Sequence, residues 1–162
     1  MHRRNEWLKK LTETDDPIEK RELLRRTVVV GAYLKRRNNL ILVNEQDGTI
    51  KEEELNLSIK EMMKNLQFAG VNCASSVQFE KDLPADVAMK LLDFYEYVVE
   101  NAFDGLTYLL ARFFSRDDSF YCCVDAVCSP DLTALATDTV SVSVTDENYY
   151  TLSFKAEGGD GR

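Results

Sequence analysis

The sequence predicts an α+β domain of two layers, in which helices precede and cover one face of a mixed, largely antiparallel sheet, with a long helix in front. Three observations carry this. Apolar residues recur at helical intervals through most of residues 17–103, whereas after Gly105 they fall into short runs broken by turn residues. In TVSVSVT, residues 139–145, the alternation is strict, which is the period of a half-buried strand. Helices gathered before strands indicate α+β rather than alternating α/β. With 162 residues and 44% hydrophobic content, the chain can bury one substantial core and carry a helical appendage.

Residues 1–12 form a short helical pattern that ends at TETDDP, where Asp16 before Pro17 is a helix-start signal. A long helix follows from Ile18 to about Asn44, with Leu23, Leu24, Val28, Ala32, Leu34 and Ile41 at mainly helical spacing. The β-branched run Thr27–Val30 and Gly31 oppose it, and LILV at 40–43 also fits a strand. EQDGT is a turn, and Glu52–Glu54 suit the positive end of a helix over 51–69. That helix carries Leu55, Ile59, Met62, Met63 and Leu66 on one face and ends at Gly70, a left-handed cap.

VNCASSVQFE (71–80) reads as a strand, and a third helix runs from Pro84, in its first turn, to about Phe103. Four strands follow: TYLLARFF, SFYCCVDAVC, TVSVSVT and YYTLSFKA, separated by SRDD, SPDLTALATD and DEN. The last two form a hairpin. Val140, Val142 and Val144 are expected to face the core, with Ser141 and Ser143 facing outward. The expected organisation is a helical arm over 1–48, a globular domain over 49–159 and a tail at 160–162.

Charge is unevenly placed. Residues 1–40 hold 11 Lys and Arg against 6 Asp and Glu, and the remainder 9 against 22, which gives +5 and −13 within a net −8. A basic arm on an acidic body is the expected arrangement; nucleic acid binding by the arm is a weaker alternative, since such domains are usually basic throughout. No apolar run reaches the ~20 residues that span a bilayer, and the start lacks a signal segment, so a cytoplasmic location without membrane contact is expected.

Cys73, Cys122, Cys123 and Cys128 have no paired metal spacing and read as buried small hydrophobes, with Cys122 and Cys123 on opposite faces of a strand. His2 is the only histidine and has no partner for nucleophilic catalysis. Phe94, Tyr95, Tyr97 and Phe103 read as core, and Lys35, Arg36 and Arg37 as a solvated helix end.

The segment LLDFYEYVVENAFDGL, together with AYLKRRNNLIL and FKAEGG, resembles the C-terminal part of a bacterial sensor histidine kinase, of a Firmicutes-type subgroup. The resemblance implies a second dimerisation helix followed by a GHKL-type ATPase domain, a two-layer sandwich, and covers most of residues 17–159. It also implies a cytoplasmic module, alone or as part of a membrane-bound sensor, with a response regulator or partner kinase as partner and a homodimer through the long helix.

In that family a helix holds an acidic or amide residue and an asparagine one turn apart, and the asparagine binds Mg²⁺. Asn101 with Ala102 matches the asparagine–alanine pair, so the resemblance makes Glu96, Glu100, Asn101 and Asp125 the nucleotide-binding candidates and Asn101 the metal ligand. The plainer reading of Glu96, Glu100 and Asn101 is a solvated helix face. The chain departs from the pattern at three places. Tyr97 stands one turn before Asn101, Asp104 stands where a cation usually approaches phosphate, and no glycine occurs between Gly105 and Gly158. Phosphate-cradling loops need glycine so that backbone N–H groups can approach the anion.

The expectation is therefore a signalling module with degenerate nucleotide-binding motifs and no catalytic residue of its own. No cofactor is expected, or ATP and Mg²⁺ if the site works; the alternative is an active ATP-dependent protein-histidine kinase with an atypical site.

Overall fold

The computed structural model describes residues 9, 10, 13 and 15–157. His2 and the 160–162 tail lie outside the described residues, as does the 1–12 helical pattern apart from Lys9 and Lys10. Helix α1 spans Pro17–Asp47. Asp16 starts it: its carboxylate accepts from the Ile18 N–H at 3.0 Å and its carbonyl from the Lys20 N–H at 2.9 Å. The helix continues through Gly31 and the Thr27–Val30 run, and residues 40–43 are helical, not a strand. Packing overrides local propensity here, because Leu23, Val29 and Tyr33 are buried on the side that meets the next two helices. Lys35 is exposed; the Arg36 and Arg37 side chains lie outside the described residues.

Strand β1 (Thr49–Ile50) follows and pairs antiparallel with β3 (Leu83–Pro84). Two-residue strands have no periodicity to read, so the sequence does not show them. Helix α2 (Glu52–Phe68) buries the five expected residues, Leu55, Ile59, Met62, Met63 and Leu66. It stops at Gly70, whose φ of +93° is open to glycine, and the Val71 N–H returns to the Leu66 carbonyl at 3.0 Å. Strand β2 (Asn72–Gln78) leads through β3 to helix α3 (Ala85–Ala102). Pro84 ends β3 and stands at the cap of α3 rather than inside its first turn, because its residue pairs with Thr49.

The sheet is completed by β4 (Tyr108–Arg116), β5 (Ser119–Val127), β6 (Val140–Asp146) and β7 (Tyr149–Glu157). Its order is β2-β4-β5-β7-β6, with β2 parallel to β4 and every other pair antiparallel. The α+β, two-layer expectation holds. The parallel pair requires a crossover, which α3 supplies.

Strand parity separates two faces. Phe120, Cys122, Val124 and Ala126 are buried under the helices, whereas Tyr121, Cys123, Asp125 and Val127 are half-buried on the other face. On the helix side Phe94 stacks on Phe154 at 5.2 Å, and Tyr95 meets Phe113 at 6.4 Å. On the open side Phe114 stacks on Tyr121 and Tyr108 on Tyr149, at 5.2 and 6.2 Å. Cys122 and Cys123 therefore do face opposite ways. Val140 is buried and Val142 partly so, but Val144 is 54% exposed, because it lies toward the turn end of the edge strand.

Candidate functional site

The segment around Asn101 occupies the last turn of α3, a helix buried on most of its circumference. At about 100° per residue, Asn101 lies roughly 140° around the axis from Glu96 and roughly 100° from Glu100. The acids and the amide therefore belong to different flanks. Asn101 Nδ2 donates to the Tyr97 carbonyl at 2.7 Å, one turn back along its own helix, and the side chain is partly exposed. Tyr97, read as core, is 44% exposed, since it shares the outward flank of the helix with Asn101.

Glu96 and Glu100 are not a solvated face. They are only 3% and 8% exposed, on the stripe of α3 that continues to Asp93. That stripe meets α1, where the Tyr33 hydroxyl donates to Asp93. Among the described residues neither oxygen of Glu96 has a hydrogen-bond partner of regular geometry. Burial pushes its carboxyl well above the usual glutamate range, and the charges of Glu100 and Asp93 add to this, as does a contact with Glu100 that only a protonated form can make.

A raised folded-state pKa means that the native chain holds a proton which the unfolded chain releases. Stability is then full below the ordinary glutamate value and falls as pH rises from there, by up to about 1.4 kcal/mol per pH unit. Glu96→Gln is accordingly expected to flatten this slope and to be more stable than the wild type near pH 8. Urea unfolding over a pH series checks it; parallel slopes in both proteins would contradict the protonated burial of Glu96.

The end of α3 is fixed by contacts with α1 and with the connection after β5. The Arg26 guanidinium of α1 pairs with Asp104 and lies over the Phe103 ring at 5.2 Å. The Ser129 N–H donates to the Asp104 carbonyl at 3.0 Å. Gly105, at φ +69°, leaves just enough room for Ser129, whose Cβ would stand 3.0 Å from any Cβ placed there. Asp104 therefore meets a cation of the chain itself.

Downstream, the connection from β5 to β6 folds back into the core instead of extending over α3. Leu132 is 1% exposed and Leu135 is also buried, on a single 3-10 turn over Thr133–Leu135. Asp131 starts that turn: the backbone N–H of Thr133 and its hydroxyl, at 2.9 and 2.7 Å, hold the carboxyl below its ordinary value.

Asp125 is not brought to Asn101. Its place in β5 sends it to the open face of the sheet, away from α3, where Tyr149 O–H donates to it at 3.2 Å. The four sequence candidates thus occupy three places: Asn101 on the outward flank of α3, Glu96 and Glu100 against α1, and Asp125 behind the sheet.

Among the described residues no group of three His, Cys, Asp or Glu side chains could hold a metal ion. Burial raises the Cys73 and Cys128 thiols to about 11 and pushes Cys122 up as well, which keeps them protonated and unreactive near neutrality. The open face holds a shallow depression of about 400 Å³ lined by Gln78, Glu80, Arg112, Phe114, Ser115 and Arg116. Sequence reasoning missed it, because β2 and β4 meet there only through their parallel pairing.

No protein-family profile matches the chain, and no curated protein matches it. Among the described residues no helix is long and apolar enough to cross a membrane. Solved structures do match in shape. The histidine kinase AdeS of Acinetobacter baumannii aligns at TM-score 0.47 and 9% identity, over 97% of this chain and 94% of that one. The catalytic domain of histidine kinase ThkA aligns at 0.46 and 8%, over 68% and 94%. A bacterial phosphotransferase aligns at TM-score 0.52 with 11% identity, over 94% of this chain and 86% of that chain, and with it this chain shares its overall fold.

Proposed function

We propose that this chain is a signal-transduction module, the C-terminal region of a two-component sensor histidine kinase whose nucleotide-binding motifs are degenerate. The order of long helix, helix, strand, Asn101-bearing helix and sheet supports the kinase reading, as does a fold shared with a phosphotransferase. One observation carries the loss of nucleotide chemistry. The β5–β6 connection, where the resemblance to sensor kinases would put a lid over nucleotide, instead buries Leu132 and seats Ser129 against Gly105. No glycine stands in it to free backbone N–H groups for phosphate.

What such a module keeps is mechanical. Arg26 and Tyr33 tie α1 to α3, so a shift of the long helix reaches the sheet domain directly. On α1, Leu24 and Val28 lie one turn apart and exposed, on a different side from buried Val29 and Tyr33. A second copy of the helix is the expected cover, and a response regulator or partner kinase the expected recipient of the signal. Light scattering should report a dimer that Leu24→Glu with Val28→Glu dissociates; a wild-type monomer at high concentration would count against it.

Thermal denaturation with and without millimolar Mg-ATP tests the nucleotide reading. Anything that binds only the native state raises the melting temperature. No shift is expected. A rise of several degrees, lost in Asn101→Ala, would instead show a nucleotide site at Asn101, which the atypical active kinase requires.

A further inference from the structure

Strand β6 is an edge of the sheet and leaves backbone groups open to a further strand. Val140 turns away from β7: its N–H donates to Thr137 Oγ1 at 3.1 Å and its carbonyl accepts from the Thr137 N–H at 2.9 Å. In an antiparallel ladder the inward and outward directions alternate residue by residue. Val142 and Val144, in register with Leu152 and Tyr150, therefore also send their N–H and carbonyl groups outward. Unlike Val140, they meet no partner among the described residues. The pairing of β7 with β5 agrees, since the Cys128 N–H reaches the Asn148 carbonyl and places the even-numbered residues of β7 toward β5.

Edge strands are ordinarily guarded by lysine, proline or an inward-pointing charge. Residues 140–145, VSVSVT, contain none of these; a register shift between Val144 and Asp146 is the only irregularity. One side of the strand presents valine, with Val144 half out of the core, and the other serine. Acids stand at both ends: Asp138 before the strand, Asp146 and Glu147 at its turn, all exposed and without an ion pair among the described residues.

We propose that β6 is a docking edge for an extended partner segment with an uncharged, β-branched centre and Lys or Arg at both ends. The partner strand satisfies the Val142 and Val144 backbone groups and its end cations meet Asp138, Asp146 and Glu147. A second copy of β6 is a poorer occupant, because antiparallel self-pairing about Val142 sets Asp138 against Asp146 of the other chain. The inference does not rest on the nucleotide reading.

The probe is a fluorescein-labelled peptide, Lys-Thr-Val-Thr-Val-Thr-Lys, titrated by anisotropy, with the same core between glutamates as its comparison. The basic peptide is expected to bind saturably, at least about tenfold more tightly than the acidic one, with affinity falling as salt rises. Val142→Pro removes an outward N–H, which an edge strand tolerates, and is expected to abolish binding. Asp138→Lys with Asp146→Lys leaves the backbone intact and should invert the peptide preference. Equal binding of both peptides, undiminished binding by Val142→Pro with the native melting temperature, or no saturation at millimolar peptide would each overturn the proposal. So would a dimer that Val142→Pro alone dissolves, because a second copy would then hold the edge.

Discussion

Leu132→Ala is expected to lose about 3 kcal/mol of stability and to lower the melting temperature by roughly 9 °C. The side chain is 1% exposed and belongs to the same core cluster as Phe103, Leu106 and Leu109. Truncation removes the transfer free energy of three carbons and leaves a cavity, which the short 3-10 turn beside it can only partly close. A mobile cover over a nucleotide would behave otherwise: its leucines would be exposed in the ligand-free state, and the same change would cost under about 0.5 kcal/mol. Urea unfolding therefore separates a wedge from a lid, and a loss below 1 kcal/mol would contradict the wedge.

Gly105→Ala is expected to cost about 3 kcal/mol, for two separable reasons. Its φ of +69° costs an L-residue about 1–2 kcal/mol. The new Cβ would also overlap Ser129 Oγ and stand 3.3 Å from the Ser129 nitrogen, the atom that donates to Asp104. The two shares are distinguished in a Ser129→Gly background, where the side-chain overlap is gone and the backbone cost, about 1–2 kcal/mol, is left together with the 3.3 Å approach to the nitrogen. If Gly105→Ala cost the same in both backgrounds, the contact between the end of α3 and the β5–β6 connection would not be as described.

Much of the fold was legible because its signals are local. The face of α2, from Leu55 to Leu66, and the β6–β7 hairpin follow from period alone, and Asp16 and Gly70 mark ends through hydrogen bonding and positive φ. The continuity of α1 through Gly31 was not legible in the same way, since it depends on what Val29 and Tyr33 are buried against. The β1–β3 pair is too short to have a period at all.

The candidate site was legible only in its asparagine. Glu96 and Glu100 look like ordinary surface acids until α1 is laid against them, and nothing in the pattern of α3 announces that arrival except their place beside Asp93 on one stripe. Asp125 could have been assigned to the open face from strand parity, because it shares a phase with Cys123 and opposes Val124. Leu132 could not, because a leucine in a loop between turn residues gives no sign of depth.

Loss of nucleotide chemistry means that phosphate finds no cradle beside Asn101. Isothermal calorimetry, with Mg-ATP titrated into the protein, measures this directly. The prediction is no saturable heat, meaning no dissociation constant tighter than about 1 mM. A saturable isotherm that weakens on Asn101→Ala would contradict it and would place a nucleotide site beside that asparagine.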